Sequence, residues 1–204
     1  MRGEIAERTR FPAPRAPLKL YFHGSITPHR LPLWILDALE QARYLPTLTV
    51  VGYETIGDAG HVAALRARAQ ALGLGERLTV LDSVPREALL VLAKGHDLGL
   101  CLYDRSGSNA AHNSMLGPSN KVFDYLSVGI VPVLDRHLEW QPLLNPPMAL
   151  MLAENKAGAL VSLLNQLAEA PAMLETCARF GQQRLRRDWH YEAQFAPVIK
   201  AMEV

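Results

Sequence analysis

Cysteine is scarce in this chain. Of 204 residues only Cys101 and Cys177 carry a thiol, both inside apolar stretches. Two such cysteines supply neither a disulfide framework nor the paired spacing of a structural zinc site, and they read as reduced, buried thiols of a cytoplasmic protein. An excess of charge of either sign is missing too. Lys and Arg total 21 against 20 for Asp and Glu, and a net charge of +1 argues against a general nucleic-acid clamp while leaving room for a local anion site. No apolar run approaches the roughly 18 residues that cross a bilayer, and residues 1–17 lack the apolar core of a signal peptide.

Several catalytic signatures are absent. G-x-G-x-x-G, G-x-x-x-x-G-K-[ST] and G-x-S-x-G do not occur, which removes support for dinucleotide, P-loop and serine-hydrolase chemistry. The seven histidines show neither H-x-x-x-H nor H-E-x-x-H spacing, so they read as surface or turn residues rather than metal ligands, with His23 at a strand end the exception worth keeping.

What the chain does have is a strict rhythm. Short β-rich runs at 18–22, 47–51, 78–81, 97–103, 131–134 and 148–152 alternate with helical patterns at 31–42, 61–72, 86–93 and 120–128. The strands are almost wholly apolar, as strands covered on both faces must be. Strand–helix alternation predicts a parallel sheet with right-handed crossovers, a doubly wound α/β fold. After residue 155 only helical pattern remains, at 156–168, 171–188 and 191–202. The expected organisation is a linker-like segment over 1–17, rich in Arg and Pro and poorly packed, a Rossmann-like domain over 18–155, and a helical C-terminal tail over 156–204. Trp34, Phe123 and Tyr125 fall on helices and read as core. Tyr103, ending the fourth strand, suits either core or site.

In doubly wound sheets ligands bind beyond the carboxyl ends of the strands, and three features converge there. Gly24 ends the first strand and opens Ser25-Ile26-Thr27-Pro28-His29-Arg30, where a missing Cβ admits a ligand to the backbone and Arg30 can meet an anion. Residues 104–119 form a long aperiodic stretch carrying Arg105, Ser106, Ser108, Asn109, His112, Asn113 and Ser114, a polar set suited to hydroxyl groups. Gly117-Pro118-Ser119-Asn120-Lys121 then runs straight into a helix. Ser119 suits the N-cap, the free amides favour an anion, and Lys121 adds a full charge. Asp124 lies three residues on, on the face of Lys121. A cation for phosphate and a carboxylate for vicinal hydroxyls, one turn apart, suit a nucleoside diphosphate; an exposed Lys–Asp pair supporting the helix is the plain alternative.

These residues resemble a known family. "PSNKVFDYLSVGIVPVL" is similar to the lysine-to-glycine segment of GT-B glycosyltransferases, in particular the C-terminal half of the family 4-like (group 1) enzymes. "YFHGSITPHR" resembles their first strand and phosphate loop, "LTVVGYE" their second strand, and "LTVLDSVPREALLVLAKGHDLGLCLY" their third strand, short helix and fourth strand. The resemblance spans about 18–134. It implies the nucleotide-sugar donor half of a two-domain transferase, with a UDP- or GDP-linked sugar as donor substrate, no cofactor, and a glycan or lipid-linked acceptor. It also implies an N-terminal Rossmann-like half in the same or a partner chain, and a cytoplasmic setting, peripheral to the membrane's inner face, in polysaccharide assembly.

Carried over by position, Asp124 takes the ribose, while Ser119, Asn120 and Lys121 lie near the diphosphate with Gly24, Ser25 and Arg30. Ser83, Val84 and Tyr103 complete the nucleotide pocket, Ser83 and Val84 lining the base. His23, Arg30 and Lys121 are the candidates for catalytic roles, His23 as a donor to a substrate oxygen. The chain departs from the family's pattern in four places. The upstream carboxylate of its glutamate pair has no counterpart around Gly117, and the second carboxylate is Asp. Ser25 stands where many members have arginine, and Ser83 replaces a frequent glycine. Two other readings fit the same residues: a nucleotide-binding or assembly module without chemistry of its own, and a nucleotide-sugar epimerase-like protein.

Overall fold

Apolar runs bounded by glycine and proline pair into one sheet because both their faces can then be covered. The computed structural model describes residues 7–103, 120–135, 144 and 146–202. In chain order the elements are β1 (Lys19–Ser25), α1 (Trp34–Gln41), β2 (Thr47–Tyr53), α2 (His61–Ala71), β3 (Leu78–Asp82), α3 (Arg86–Ala93) and β4 (Leu98–Cys101). They continue with α4 (Asn120–Ser127), β5 (Val131–Asp135), β6 (Leu150–Leu152), α5 (Ala157–Glu169), α6 (Ala172–Arg187) and α7 (Tyr191–Met202). Among the described residues the six strands form one parallel sheet in the order β3-β2-β1-β4-β5-β6. This is the doubly wound order expected from the alternation. Chain direction across the sheet reverses between β1 and β4, and a crevice opens beyond their carboxyl ends.

The pleat of β1 divides the interior in two. Leu20 and Phe22 face one core with Ile35 and Leu39 of α1, Leu65 of α2, and Leu160 and Leu164 of α5. Tyr21 faces the other, with Val122, Tyr125 and Leu126 of α4 and Val128 and Ile130 beyond it. Helix α6 spans both, placing Leu174 and Cys177 in the first and Leu185 in the second. Cys101 and Cys177 are buried and not joined in a disulfide, and Tyr125 is fully buried. Trp34 packs on the first core, and Phe123 stacks edge-on to Trp189 with centroids 5.6 Å apart on the second.

The structure departs from the sequence reading in four ways. β1 and β2 do not stop at their glycines; pairing runs on through Gly24↔Gly52 to Ser25↔Tyr53. A Cβ on Gly52 would lie 1.9 Å from the Gly24 carbonyl oxygen, so only glycine lets the strands continue side by side there. Helix α1 begins at Trp34 rather than residue 31, because residues 32–36 start as single i→i+3 turns over Pro32 and Leu33. Before β1, residues 7–17 hold no helix or strand, yet the poor packing expected of an Arg- and Pro-rich start fails at Arg8. Its guanidinium is buried, pairs with Asp97 at 2.5 Å and donates to the Gly129 carbonyl at 3.1 Å, while its backbone N–H donates to Gln182. Finally, His61 is buried, with Nε2 2.8 Å from the Leu31 carbonyl oxygen, and is no surface residue.

Candidate functional site

The βα connections of a parallel sheet all emerge at one edge, so β1's end, the β3–α3 turn and the start of α4 are brought together by topology alone. Gly24 takes φ +107°, a left-handed backbone open to glycine. Lys121, in the first turn of α4, folds onto it. A Cβ on Gly24 would lie 3.2 Å from Lys121 Cε and 3.4 Å from Nζ, and the same Nζ stands 5.1 Å from the centre of the Phe22 ring. Lys121 is only 8% exposed. Burial lowers its pKa below the usual 10.5; the Cys101 thiol works against that shift and the Arg30 guanidinium adds to it.

Arg30 lies on the loop between β1 and α1. It donates to the Ser25 hydroxyl at 2.5 Å, and its guanidinium sits 5.4 Å from the ring centre of Tyr103, just past β4. Tyr103 is buried, and its carbonyl accepts from the Asn155 amide at 2.8 Å. Gly24, Ser25, Arg30, Tyr103 and Lys121 are therefore neighbours. Asn120 opens α4 and is exposed. Ser119 and the polar stretch 104–119 lie outside the described residues.

Asp124 sits one turn beyond Lys121 and is also buried, at 4% exposure, so the two are not the solvated pair a surface helix would carry. Its carboxylate turns toward α3 and β1. Arg86, first residue of α3, grips both oxygens: Nη2 donates to Oδ1 and Nη1 to Oδ2 at 3.2 Å. His23 brings Nε2 to 3.4 Å of Oδ2. Its other nitrogen, Nδ1, is buried without a hydrogen-bond partner among the described residues. His23 stands behind Asp124, its ring 5.1 Å from that of Tyr125 in an edge-on stack. Tyr125 donates to the Leu100 carbonyl at 3.1 Å and rests where Gly99 has no side chain. Tyr21 donates to the Leu89 carbonyl, and burial, with the Asp124 charge second, pushes its phenol up to about 12.

Ser83 and Val84 occupy the β3–α3 turn, Ser83 exposed and Val84 packed on the second core. They stand beside the site through Arg86, three and two residues on. Sequence reasoning missed Arg86; its place just after Pro85 puts it at the sheet's carboxyl edge, but the partner it grips lies 38 residues further on. Among the described residues no group of three or more His, Cys, Asp or Glu is placed to hold a metal ion, and no helix is long and apolar enough to cross a membrane.

Fold and site together define a doubly wound α/β domain that concentrates cations, with a buried carboxylate, at its topological switch point. Residues 30–200 match the family model described as "Glycosyl transferase-like", and the chain belongs to that family. No curated protein matches the sequence. Among solved structures it is similar to HepE of Anabaena in complex with UDP and glucose, at 17% identity and a TM-score of 0.72 over 91% of this chain and 48% of that one. Sucrose-phosphate synthase of Thermosynechococcus elongatus gives 17% identity and a TM-score of 0.72, over 93% of this chain and 46% of the other. The C-terminal domain of a glycosyl transferase group 1 family protein of Francisella tularensis gives 11% identity and a TM-score of 0.66, over 87% of this chain and 89% of the domain. The chain thus spans about half the length of HepE and nearly all of an isolated C-terminal domain.

Proposed function

We propose that this chain is the donor-binding half of a glycosyltransferase that moves a sugar from a UDP- or GDP-linked donor to a glycan or lipid-linked acceptor. The observation that carries this reading is the buried Lys121 ammonium folded onto Gly24 at the switch point. Burial disfavours the charged form of Lys121, and an anion entering the crevice beside Gly24 favours it. A diphosphate fits that demand, with Arg30 as a second cation and the first amides of α4 as donors. The UDP in the HepE structures supports the same ligand class.

In such a transfer the bond between sugar C1 and the diphosphate oxygen breaks, and its electron pair leaves with the nucleoside diphosphate. The acceptor oxygen bonds C1 and gives its proton to a base. Lys121 and Arg30 stabilise the charge on the departing diphosphate, a task that fixed cations accomplish without a cofactor. Gly24 lets the phosphates approach β1, and Ser25 steadies Arg30. Asn120 and Ser119 border the diphosphate, Tyr103 backs Arg30, and Ser83 and Val84 line the base. Asp124, held by His23, takes the ribose hydroxyls. An N-terminal Rossmann-like half, in the same or a partner chain, closes the cleft and excludes water. We place the reaction in the cytoplasm, at or near the inner membrane face, in polysaccharide assembly.

Thermal-shift and calorimetric titrations with UDP, GDP, ADP and dTDP, each with and without a divalent cation, test the reading. One nucleotide should stabilise the protein by about 2.7 kcal/mol at a hundredfold excess over its Kd, and Lys121→Ala and Asp124→Ala should weaken that nucleotide. A folded sample that responds to none of the four overturns the proposal.

A further inference from the structure

Resting on the donor-binding reading above, we infer that Arg86 is a latch on the ribose subsite: it occupies Asp124 in the empty protein and must let go before a vicinal diol can bind there. Arg86 meets Asp124 fork to fork, Nη2 donating to Oδ1 and Nη1 to Oδ2, so its two donors take the two oxygens side by side. His23 Nε2 stands 3.4 Å from Oδ2 on the β1 side. A ribose with both hydroxyls directed at Asp124 needs the same side-by-side pair of positions, so the diol and the guanidinium compete.

The geometry also says which partner yields. The Asp124 side chain is 5% exposed and the His23 side chain 7%, fixed in the packed face between β1 and α4, whereas that of Arg86 is 53% exposed at the head of α3. Arg86 can turn to water with little loss, while Asp124 cannot move without disturbing Tyr125 and the second core. A sugar with a single hydroxyl needs only one acceptor position beside the guanidinium and leaves the latch closed. Arg86 therefore determines how strongly the site distinguishes ribonucleotides from 2′-deoxynucleotides.

The test measures Kd by calorimetry for UDP, GDP and ADP and for dUDP, dGDP and dADP, on the wild type, Arg86→Ala and Arg86→Gln. Gln keeps the stem over α3 but cannot grip both oxygens, and circular dichroism checks that each variant is folded. Removing the latch should tighten the favoured ribonucleotide about two- to five-fold, the range set by a half-exposed ion pair, and leave its deoxy counterpart unchanged. Equal Kd values in all three proteins, or equal gains for ribo and deoxy forms, overturn the latch while leaving the donor site intact. Weaker binding in both variants also overturns it and makes Arg86 a direct contact to the nucleotide. Should no nucleotide bind any of the three proteins, the donor reading itself fails, and the latch with it.

Discussion

Replacing Lys121 by Met separates what the buried ammonium does for the empty protein from what it does for a ligand. Methionine keeps an unbranched chain of similar reach, so the space beside Gly24 and over Phe22 stays filled. In the folded protein burial holds the Lys121 pKa below 10.5. The unfolded chain therefore binds that proton more tightly, and the group's contribution to stability is full above pH 10.5 and lost as pH falls through the lowered folded value. At neutral pH the wild type bears that loss and Lys121→Met does not. Methionine carries no charge to desolvate, so the unliganded variant should match or exceed the wild type in urea midpoint. Its stability should also rise less steeply toward alkaline pH. Ligand binding should move the other way. Losing a charge-assisted contact of about 1.5–3 kcal/mol weakens a nucleoside diphosphate roughly 10- to 100-fold. Wild-type affinity should also fall as pH rises through the lowered Lys121 pKa, and that slope should vanish in the variant. Calorimetry and urea unfolding on the same preparations decide the matter. A variant that loses stability and keeps its nucleotide affinity would refute the reasoning, because the lysine would then be a structural pair and no ligand cation.

Two further outcomes follow from the packing. Gly52→Ala pushes a methyl group into the Gly24 carbonyl, 1.9 Å from an ideal Cβ, and should cost about 3 kcal/mol or more in urea unfolding by prising β1 from β2. Gly57→Ala, with nothing within 4 Å, is its control and should stay within about 0.5 kcal/mol of wild type. Arg8→Met strands the Asp97 carboxylate, which among the described residues keeps the Lys19 N–H at 2.8 Å, and should cost about 3–5 kcal/mol. A neutral result by urea unfolding would mean that the segment ahead of β1 contributes nothing to the fold.

The sheet was legible because its strands are apolar on both faces and its breaks are glycines and prolines. Alternation alone gave their order of occurrence, and the one-hand rule for crossovers gave a parallel sheet. Strand ends were harder. Gly24 and Gly52 look like terminators in sequence, yet each is the residue whose missing side chain lets the other's strand continue. The cation and the carboxylate of α4 were also readable, since three residues on a helix share a face. Their burial was not, because it depends on Phe22, Gly24 and His23 from a strand a hundred residues upstream. Arg86 escaped for the same reason: nothing local to Pro85-Arg86-Glu87 says that its guanidinium reaches a helix 38 residues further on. Arg8 escaped because an arginine among prolines reads as solvated until Asp97 and the Gly129 carbonyl are found beneath it.

Placement of the site then reduces to how closely α4 can approach the sheet. Gly99 on β4 leaves the space that Tyr125 fills; a Cβ there would lie 2.3 Å from the ring. Tyr125 in turn donates to the Leu100 carbonyl, so the helix is drawn onto β4 by shape and by one buried hydrogen bond. Lys121 and Asp124 ride on that helix, and their reach to Gly24 and to His23 is set by this contact rather than by their own chemistry. A glycine with no role toward any ligand therefore determines whether the cation and the carboxylate meet the end of β1. The departures from the family's pattern, an aspartate for a glutamate and a serine for an arginine, fall on Asp124 of α4 and on Ser25 at the end of β1. The glycine–tyrosine seat that holds α4 against the sheet lies in the core beneath them.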